Sequence, residues 1–132
     1  MKKIALITTN KILAESLDSA MKSMPNSKLE LVLLLNSHQA LLDAEIHEIE
    51  VALIDMGTIN VMDKARVEGD RSLSFCERLN KSLPNCQILL LVSGDDLVNR
   101  ELATKAKKKK IIHDFVFYDA SLKYLLAKLT AL

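Results

Sequence analysis

The chain has 132 residues, of which 49% are apolar and 27% are charged, which is enough for one well-cored domain and too few for two ordinary ones. Eighteen basic and seventeen acidic residues leave a formal charge of +1, which excludes a general electrostatic attraction to nucleic acid or to an anionic membrane. No apolar stretch approaches the ~20 residues of a membrane span. We therefore expect a single cytoplasmic domain over residues 1–132.

Five apolar runs of strand length alternate with helical patterns along the chain. The predicted strands are Lys3–Thr8, Leu29–Leu35, Val51–Ile54, Gln87–Val92 and Ile111–Tyr118. The predicted helices run from Ile12 to Met24, from a cap at Asn36-Ser37 to Ile49, from Leu73 to Leu83, from Leu97 to Lys109, and from a cap at Ser121 through Leu129. This order indicates an α/β fold, a doubly wound (βα)5 domain whose parallel sheet is covered on both faces.

Two connections between these elements stand out. The polar stretch from Gly57 to Asp70 is unusually long for a compact α/β unit and predicts a mobile or specialised loop. The fourth strand stops at Ser93-Gly94-Asp95-Asp96, where either Asp95 or Asp96 is a natural N-cap for the next helix.

A single carboxylate, Asp55, ends the third predicted strand. In an open parallel sheet, ligands and chemistry gather at the carboxyl ends of the strands, where the loops leave a crevice between helices. Asp55 is therefore the first candidate functional residue. Ser93 ends the fourth predicted strand in the same way, with a hydroxyl in place of a carboxylate.

Five βα units with these two strand-end residues resemble the receiver domain of bacterial two-component response regulators, the CheY-like superfamily, over nearly the whole chain. The resemblance implies a flavodoxin-like strand order, 2-1-3-4-5. In that family the Asp after the third strand accepts a phosphoryl group, and two acidic residues after the first strand hold Mg²⁺. A Ser or Thr after the fourth strand senses the phosphate, and a Lys after the fifth pairs with it. Asp55 matches the acceptor and Ser93 matches the switch hydroxyl.

The other two roles lack matching residues. Thr8, Thr9 and Asn10 stand where the acidic pair is expected, and Tyr118 stands in place of the Lys. Mg²⁺ prefers charged oxygen ligands, and without it the charge on a transferred phosphoryl group loses its main stabiliser. The resemblance therefore implies a degenerate pseudo-receiver, with no catalytic residue, metal or cofactor, that acts by protein–protein interaction in bacterial signalling.

Three alternatives remain open. The first is an atypical receiver phosphorylated on Asp55, in which Glu15, Asp95 or Asp119 helps to hold Mg²⁺. The second is a receiver that belongs to a DNA-binding transcriptional regulator. The third is a small nucleotide binder, which the absence of a glycine-rich loop after the first strand disfavours.

The resemblance also implies a contact surface. Receiver-like domains commonly associate through their fourth helix, fifth strand and fifth helix. Here that face would carry Phe115, Phe117, Tyr118, Tyr124 and a lysine run at positions 105 and 107–110. We expect a signalling protein partner or a homodimer there. The lysines themselves are expected mainly to form a solvated helix end, with an acidic partner surface as the alternative.

Histidine and cysteine positions predict no metal or disulfide. His38, His47 and His113 lie on three different predicted elements without paired ligand spacing, so a zinc site is not expected. Cys76 and Cys86 form no CxxC motif, and we expect reduced thiols packed in the core.

Overall fold

The computed structural model describes residues 2–23, 29–34, 48–57 and 71–132. Within these ranges the strands are β1 (Lys2–Ile7), β2 (Leu29–Leu34), β3 (Val51–Asp55), β4 (Gln87–Val92) and β5 (Asp114–Phe117). The helices are α1 (Lys11–Ser23), α2 (Arg71–Ser82), α3 (Leu97–Lys108) and α4 (Leu122–Ala131). No helix in this part of the chain is long and apolar enough to cross a membrane.

The five strands form one parallel sheet in the order β2-β1-β3-β4-β5. The expected α/β class and strand order are therefore confirmed. Ile7 of β1 pairs with Ile54 of β3, and Asp55 pairs with Leu91 of β4. This register brings the carboxyl ends of the central strands to one edge of the sheet.

Two hydrophobic cores lie on opposite faces of this sheet. Alternate residues of each strand point to opposite sides, so Ile4 and Leu6 enter one core while Ala5 and Ile7 enter the other. One core also contains buried residues of α2 and α3, and the other contains those of α1 and α4. Because both faces are covered, the strands read as continuous apolar runs in the sequence.

Several predicted boundaries differ from the structure. The fifth strand begins at Asp114 and not at Ile111, because Lys110 adopts a left-handed conformation (φ 62°) and turns the chain out of α3. The predicted helix from Asn36-Ser37 lies outside the described residues, apart from its predicted end at Ile49, which is buried. Of the long connection after β3, the structure describes Gly57 alone.

Both predicted helix caps near the carboxyl edge are formed. Oδ1 of Asp96 accepts a hydrogen bond from the N–H of Asn99 at 3.0 Å, which identifies Asp96 rather than Asp95 as the N-cap of α3. The Ser121 hydroxyl accepts the N–H of Tyr124 at 3.1 Å and caps α4. These caps satisfy backbone donors that the first helical turn leaves without a partner.

An ion-pair cluster joins α3, β5 and α4. The carboxylate of Asp114 contacts the ammonium of Lys107 at 3.0 Å and also that of Lys128. Lys107 belongs to the lysine run, so this member of the run is paired and does not simply extend into solvent. The cluster fixes edge strand β5 between its two neighbouring helices.

This cluster predicts acid sensitivity. Burial alone would raise the pKa of Asp114, but hydrogen bonds from Lys128, the amide of Phe115 and Lys107 outweigh it and lower the pKa below its usual range. A carboxyl with a lowered folded-state pKa stabilises the fold above its unfolded value, near pH 4, and this stabilisation is lost as the pH falls through the folded value.

We expect Asp114→Asn to lower the free energy of unfolding at pH 7 by about 1 kcal/mol, since solvent still screens the cluster. The same substitution should remove part of the stability loss that the natural protein shows below about pH 4. Urea unfolding at pH 7 and in acid measures both effects. If the free energy of unfolding of the variant fell with pH as much as that of the natural protein, titration of Asp114 would not be the cause of the acid sensitivity.

Candidate functional site

Asp55 lies at the carboxyl edge of the sheet and is only 5% exposed. Thr8, which follows β1 and is fully buried, donates from its hydroxyl to Oδ2 of Asp55 at 2.8 Å. The backbone N–H of Gly57 donates to the other carboxylate oxygen, Oδ1, at 3.0 Å. Both oxygens of the candidate acceptor are therefore hydrogen-bonded within the chain.

The hydroxyl of Thr8 also connects Asp55 to the start of α1. Because its single proton points to the carboxylate, this oxygen is left to accept, and it accepts the N–H of Asn10 at 3.0 Å. The side-chain oxygen of Asn10 in turn accepts the N–H of Leu13 at 3.1 Å and caps the helix. The network thus ties the first helix to the end of β3.

Tyr118 reaches the same site from the end of β5. Its backbone N–H donates to the carbonyl of Val92 at 3.1 Å, which holds the residue beside β4. A Cβ placed on Gly57 would stand 3.4 Å from Oδ1 of Asp55 and 3.7 Å from the hydroxyl oxygen of Tyr118. The phenol therefore faces the same small space as the carboxylate, and it presents a neutral group.

The other predicted site residues, Ser93, Thr9 and Asn10, lie near the space between Asp55 and Tyr118. Ser93 is half-buried at the end of β4, where its carbonyl accepts the N–H of Asp96 at 3.2 Å. Thr9 and Asn10 are exposed in the turn after β1. The structure thus brings Thr8, Asp55 and Tyr118 together and places Ser93 at the neighbouring strand end.

The residues at this site do not fit a magnesium ion. Mg²⁺ demands near-octahedral oxygen ligands, with carboxylates supplying most of the protein contribution. Among the predicted site residues, Asp55 is the one carboxylate, and its oxygens already accept from Thr8 and Gly57. Within the described ranges, no group of three or more His, Cys, Asp and Glu side chains could hold a metal. The proposed helpers Glu15, Asp95 and Asp119 are all exposed.

Arg100 is a feature near the site that sequence reasoning missed. Its guanidinium lies over the ring of Phe117, 5.5 Å from the centroid, and donates to the carbonyl of Gly94 at 3.3 Å. Arg100 therefore fastens the turn after β4 to the end of β5. Its sequence position on α3 indicates neither contact, because both depend on how α3 crosses the sheet.

The remaining histidine and cysteine residues have structural roles where they are described. Cys76 and Cys86 form no disulfide and both are buried, as expected, and burial raises the pKa of Cys86 to about 11, so this thiol stays protonated near neutral pH. Nδ1 of His113 accepts the N–H of Ile88 at 3.0 Å and supports the start of β4. His38 and His47 lie outside the described residues.

Comparison with known proteins gives matches in structure and none in sequence. No protein-family model matches the chain, and no curated protein matches it. An adenylate cyclase from Rhodopirellula baltica superposes with a TM-score of 0.75 at 18% identity, covering 98% of this chain and 85% of that one. A response regulator from Thermotoga maritima superposes with a TM-score of 0.74 at 16% identity, covering 99% and 96% of the two chains.

A third similar structure comes from a family of redox sensors in the streptococci that evolved from two-component response regulators. It gives a TM-score of 0.72 at 20% identity, and the match covers 99% of this chain and 50% of that one. Together these similarities show that the chain has the receiver-domain fold of response regulators. At such identities they establish the fold alone, and the chemistry has to be argued from the residues.

Proposed function

We propose that this chain is a pseudo-receiver, a cytoplasmic protein-binding module of bacterial two-component-type signalling. It acts without catalysis, without a cofactor and without magnesium-dependent phosphorylation. The observation that carries this proposal is the state of Asp55, whose two carboxylate oxygens accept from the Thr8 hydroxyl and the Gly57 amide in a buried site.

Phosphoryl transfer to a carboxylate depends on positioning and on neutralising the charge of the three equatorial oxygens. Here a phosphoryl group on Asp55 would meet the hydroxyls of Thr8 and Tyr118, which donate hydrogen bonds but carry no positive charge. Each carboxylate oxygen of Asp55 also accepts a hydrogen bond, which stabilises its negative charge and makes it a weaker nucleophile. Asp55 is therefore better suited to hold the end of β3 in place than to accept a phosphoryl group.

The test is a magnesium titration followed by NMR, with and without beryllofluoride as a mimic of the phosphoryl group. We expect the amide signals of Thr8, Asp55, Ser93 and Tyr118 to show no saturable change at millimolar metal. Saturable shifts that beryllofluoride enlarges would overturn the proposal. So would a mass gain with a small-molecule phosphodonor that Asp55→Asn abolishes, since either result would establish the phosphorylated receiver instead.

For the protein partner we propose the face formed by α3, β5 and α4, called here the α3/β5/α4 face. Phe115 and Phe117 pack edge to face there with ring centroids 5.9 Å apart, and both are half-buried. Tyr124 on α4 is 52% exposed. Aromatic side chains of this kind are enriched at protein interfaces because they bury a large area.

The charges on this face favour an acidic partner over a second copy of the same face. Over α3, β5 and α4, six positively charged side chains stand against two negatively charged ones, Glu101 and Asp114. The positive side chains are those of Arg100, Lys105, Lys107, Lys108, Lys123 and Lys128. Two identical copies would bring like charges together and lose affinity, whereas an acidic surface would be complementary. The exposed lysines at the end of α3 extend the same positive potential.

A further inference from the structure

The described sheet ends in two strands that have a neighbour on one side only, β2 and β5. An edge strand presents a row of backbone N–H and C=O groups that can pair with an extended segment of another chain. Along residues 30–34 of β2, no strand in the described part of the chain pairs with the outer side. The backbone chemistry of this edge therefore fits one kind of occupant, which is a β-strand.

The two edges differ in how well they are protected against such a strand. β5 has only four residues, and Asp114 at its start holds the ammonium groups of Lys107 and Lys128 beside the edge. Short strands and charged side chains are devices by which proteins prevent edge-to-edge pairing. β2 has six residues, of which Glu30 is the only charged one, and it contains neither proline nor glycine. β2 is therefore the less protected edge of the described sheet.

This difference favours a second copy of the same chain as the source of the added strand. Pairing of β2 with β5 of another copy would repeat without closing, and the charges around β5 oppose it. Antiparallel pairing of β2 with β2 closes after two copies, because the same edge serves on both sides of a two-fold axis. We infer that two copies of this chain pair through β2 and join their five-stranded sheets into one.

The side chains of β2 complement each other in this arrangement. A two-fold axis perpendicular to the sheet sets odd-numbered residues opposite odd-numbered ones, because alternate side chains point to opposite faces. Leu33, which is 42% exposed, then lies opposite Leu31 of the other copy if the axis passes at Val32. It lies opposite Leu29 if the axis passes at Leu31. In both registers a leucine covers Leu33, and the two Glu30 carboxylates do not face each other.

The inference goes beyond the proposed function, because it depends neither on the chemistry of Asp55 nor on the α3/β5/α4 face. It assigns the opposite edge of the sheet to contact between copies of the chain. The α3/β5/α4 face then stays accessible to a different protein in the dimer.

The test combines sedimentation velocity of the full chain with amide hydrogen exchange over one concentration series that reaches the millimolar range. Sedimentation measures the mass. Exchange identifies the strand, because an added strand protects the outward-facing amides, which are every second one along β2. Leu33→Lys places a charge in the inferred interface, and Leu97→Lys is the matched control, since Leu97 is 69% exposed on α3. Circular dichroism verifies that both variants keep the natural fold.

We expect the natural protein and Leu97→Lys to form dimers with the same concentration dependence, and Leu33→Lys to dimerise at least about tenfold more weakly. In the natural protein, exchange of alternate amides over residues 30–34 should slow as the dimer forms. A chain that stays monomeric throughout the series would overturn the inference. So would a dimer in which these amides exchange as fast as in the monomer, since another surface would then join the two copies.

Discussion

Replacing Thr8 by valine is expected to lower the free energy of unfolding by about 2 kcal/mol, because a buried acceptor and a buried donor both lose a partner. The two side chains have nearly the same shape, so packing changes little. The hydroxyl that donates to Oδ2 of Asp55 and accepts from the N–H of Asn10 disappears. Thr8 is fully buried and Asp55 is 5% exposed, so water cannot readily replace it. Urea unfolding at pH 7 measures the loss.

The control for this change is Thr8→Ser, which keeps the hydroxyl and removes one methyl group. It should cost only about 0.8 kcal/mol. A double-mutant cycle with Asp55→Ala then isolates the contact, since Thr8→Val should cost much less once the carboxylate is gone. An equal cost in both backgrounds would contradict a stabilising bond between Thr8 and Asp55.

The strands of the sheet could be predicted because burial on both faces leaves a mark on the local sequence, whereas their order followed only from the resemblance to receiver domains. Strands buried on both faces must be apolar along their whole length, so β1, β3 and β4 are visible as continuous runs. The fifth strand was predicted too long, because Ile111 and Ile112 are apolar for another reason. They belong to the chain that leaves α3 and packs against the same core.

The site was predictable only in part. The position of Asp55 at a strand end followed from the sequence, and the resemblance indicated Thr8 and Tyr118 as its neighbours. The hydrogen bond between Thr8 and Asp55 depends on the pairing of Ile7 with Ile54, which no local pattern specifies. The hydrogen bond from the Gly57 amide was missed, because every residue except proline has a backbone N–H and the residue type does not show which one donates.

The ion-pair cluster shows the same limit. Lys107 is one of several similar lysines, and the sequence alone does not distinguish the paired one from its exposed neighbours. The choice follows from the side of α3 that faces β5, where Asp114 begins the strand. Tertiary geometry thus assigns a structural role to one member of a run that otherwise reads as a solvated helix end.

A substitution at the same threonine should give the site a dependence on magnesium that we propose is absent from the natural protein. Thr8→Asp places a second carboxylate against Asp55, where the natural hydroxyl lies 2.8 Å from Oδ2. Without metal, two buried negative charges repel, and we expect a loss of about 3 kcal/mol in the free energy of unfolding. A divalent cation would relieve this repulsion, since paired carboxylates are the ligands that Mg²⁺ prefers.

The measurement is thermal unfolding of Thr8→Asp in a chelator and in increasing magnesium. At metal concentrations one hundred times the dissociation constant, binding should return about 2.7 kcal/mol. Thr8→Asn is the matched control, because it has a similar shape and no charge, and its stability should not change with magnesium. If the natural protein gained as much stability from magnesium as Thr8→Asp does, a hydroxyl at position 8 would suffice for metal binding. The missing acidic pair would then no longer support the proposal that the natural site does not bind magnesium.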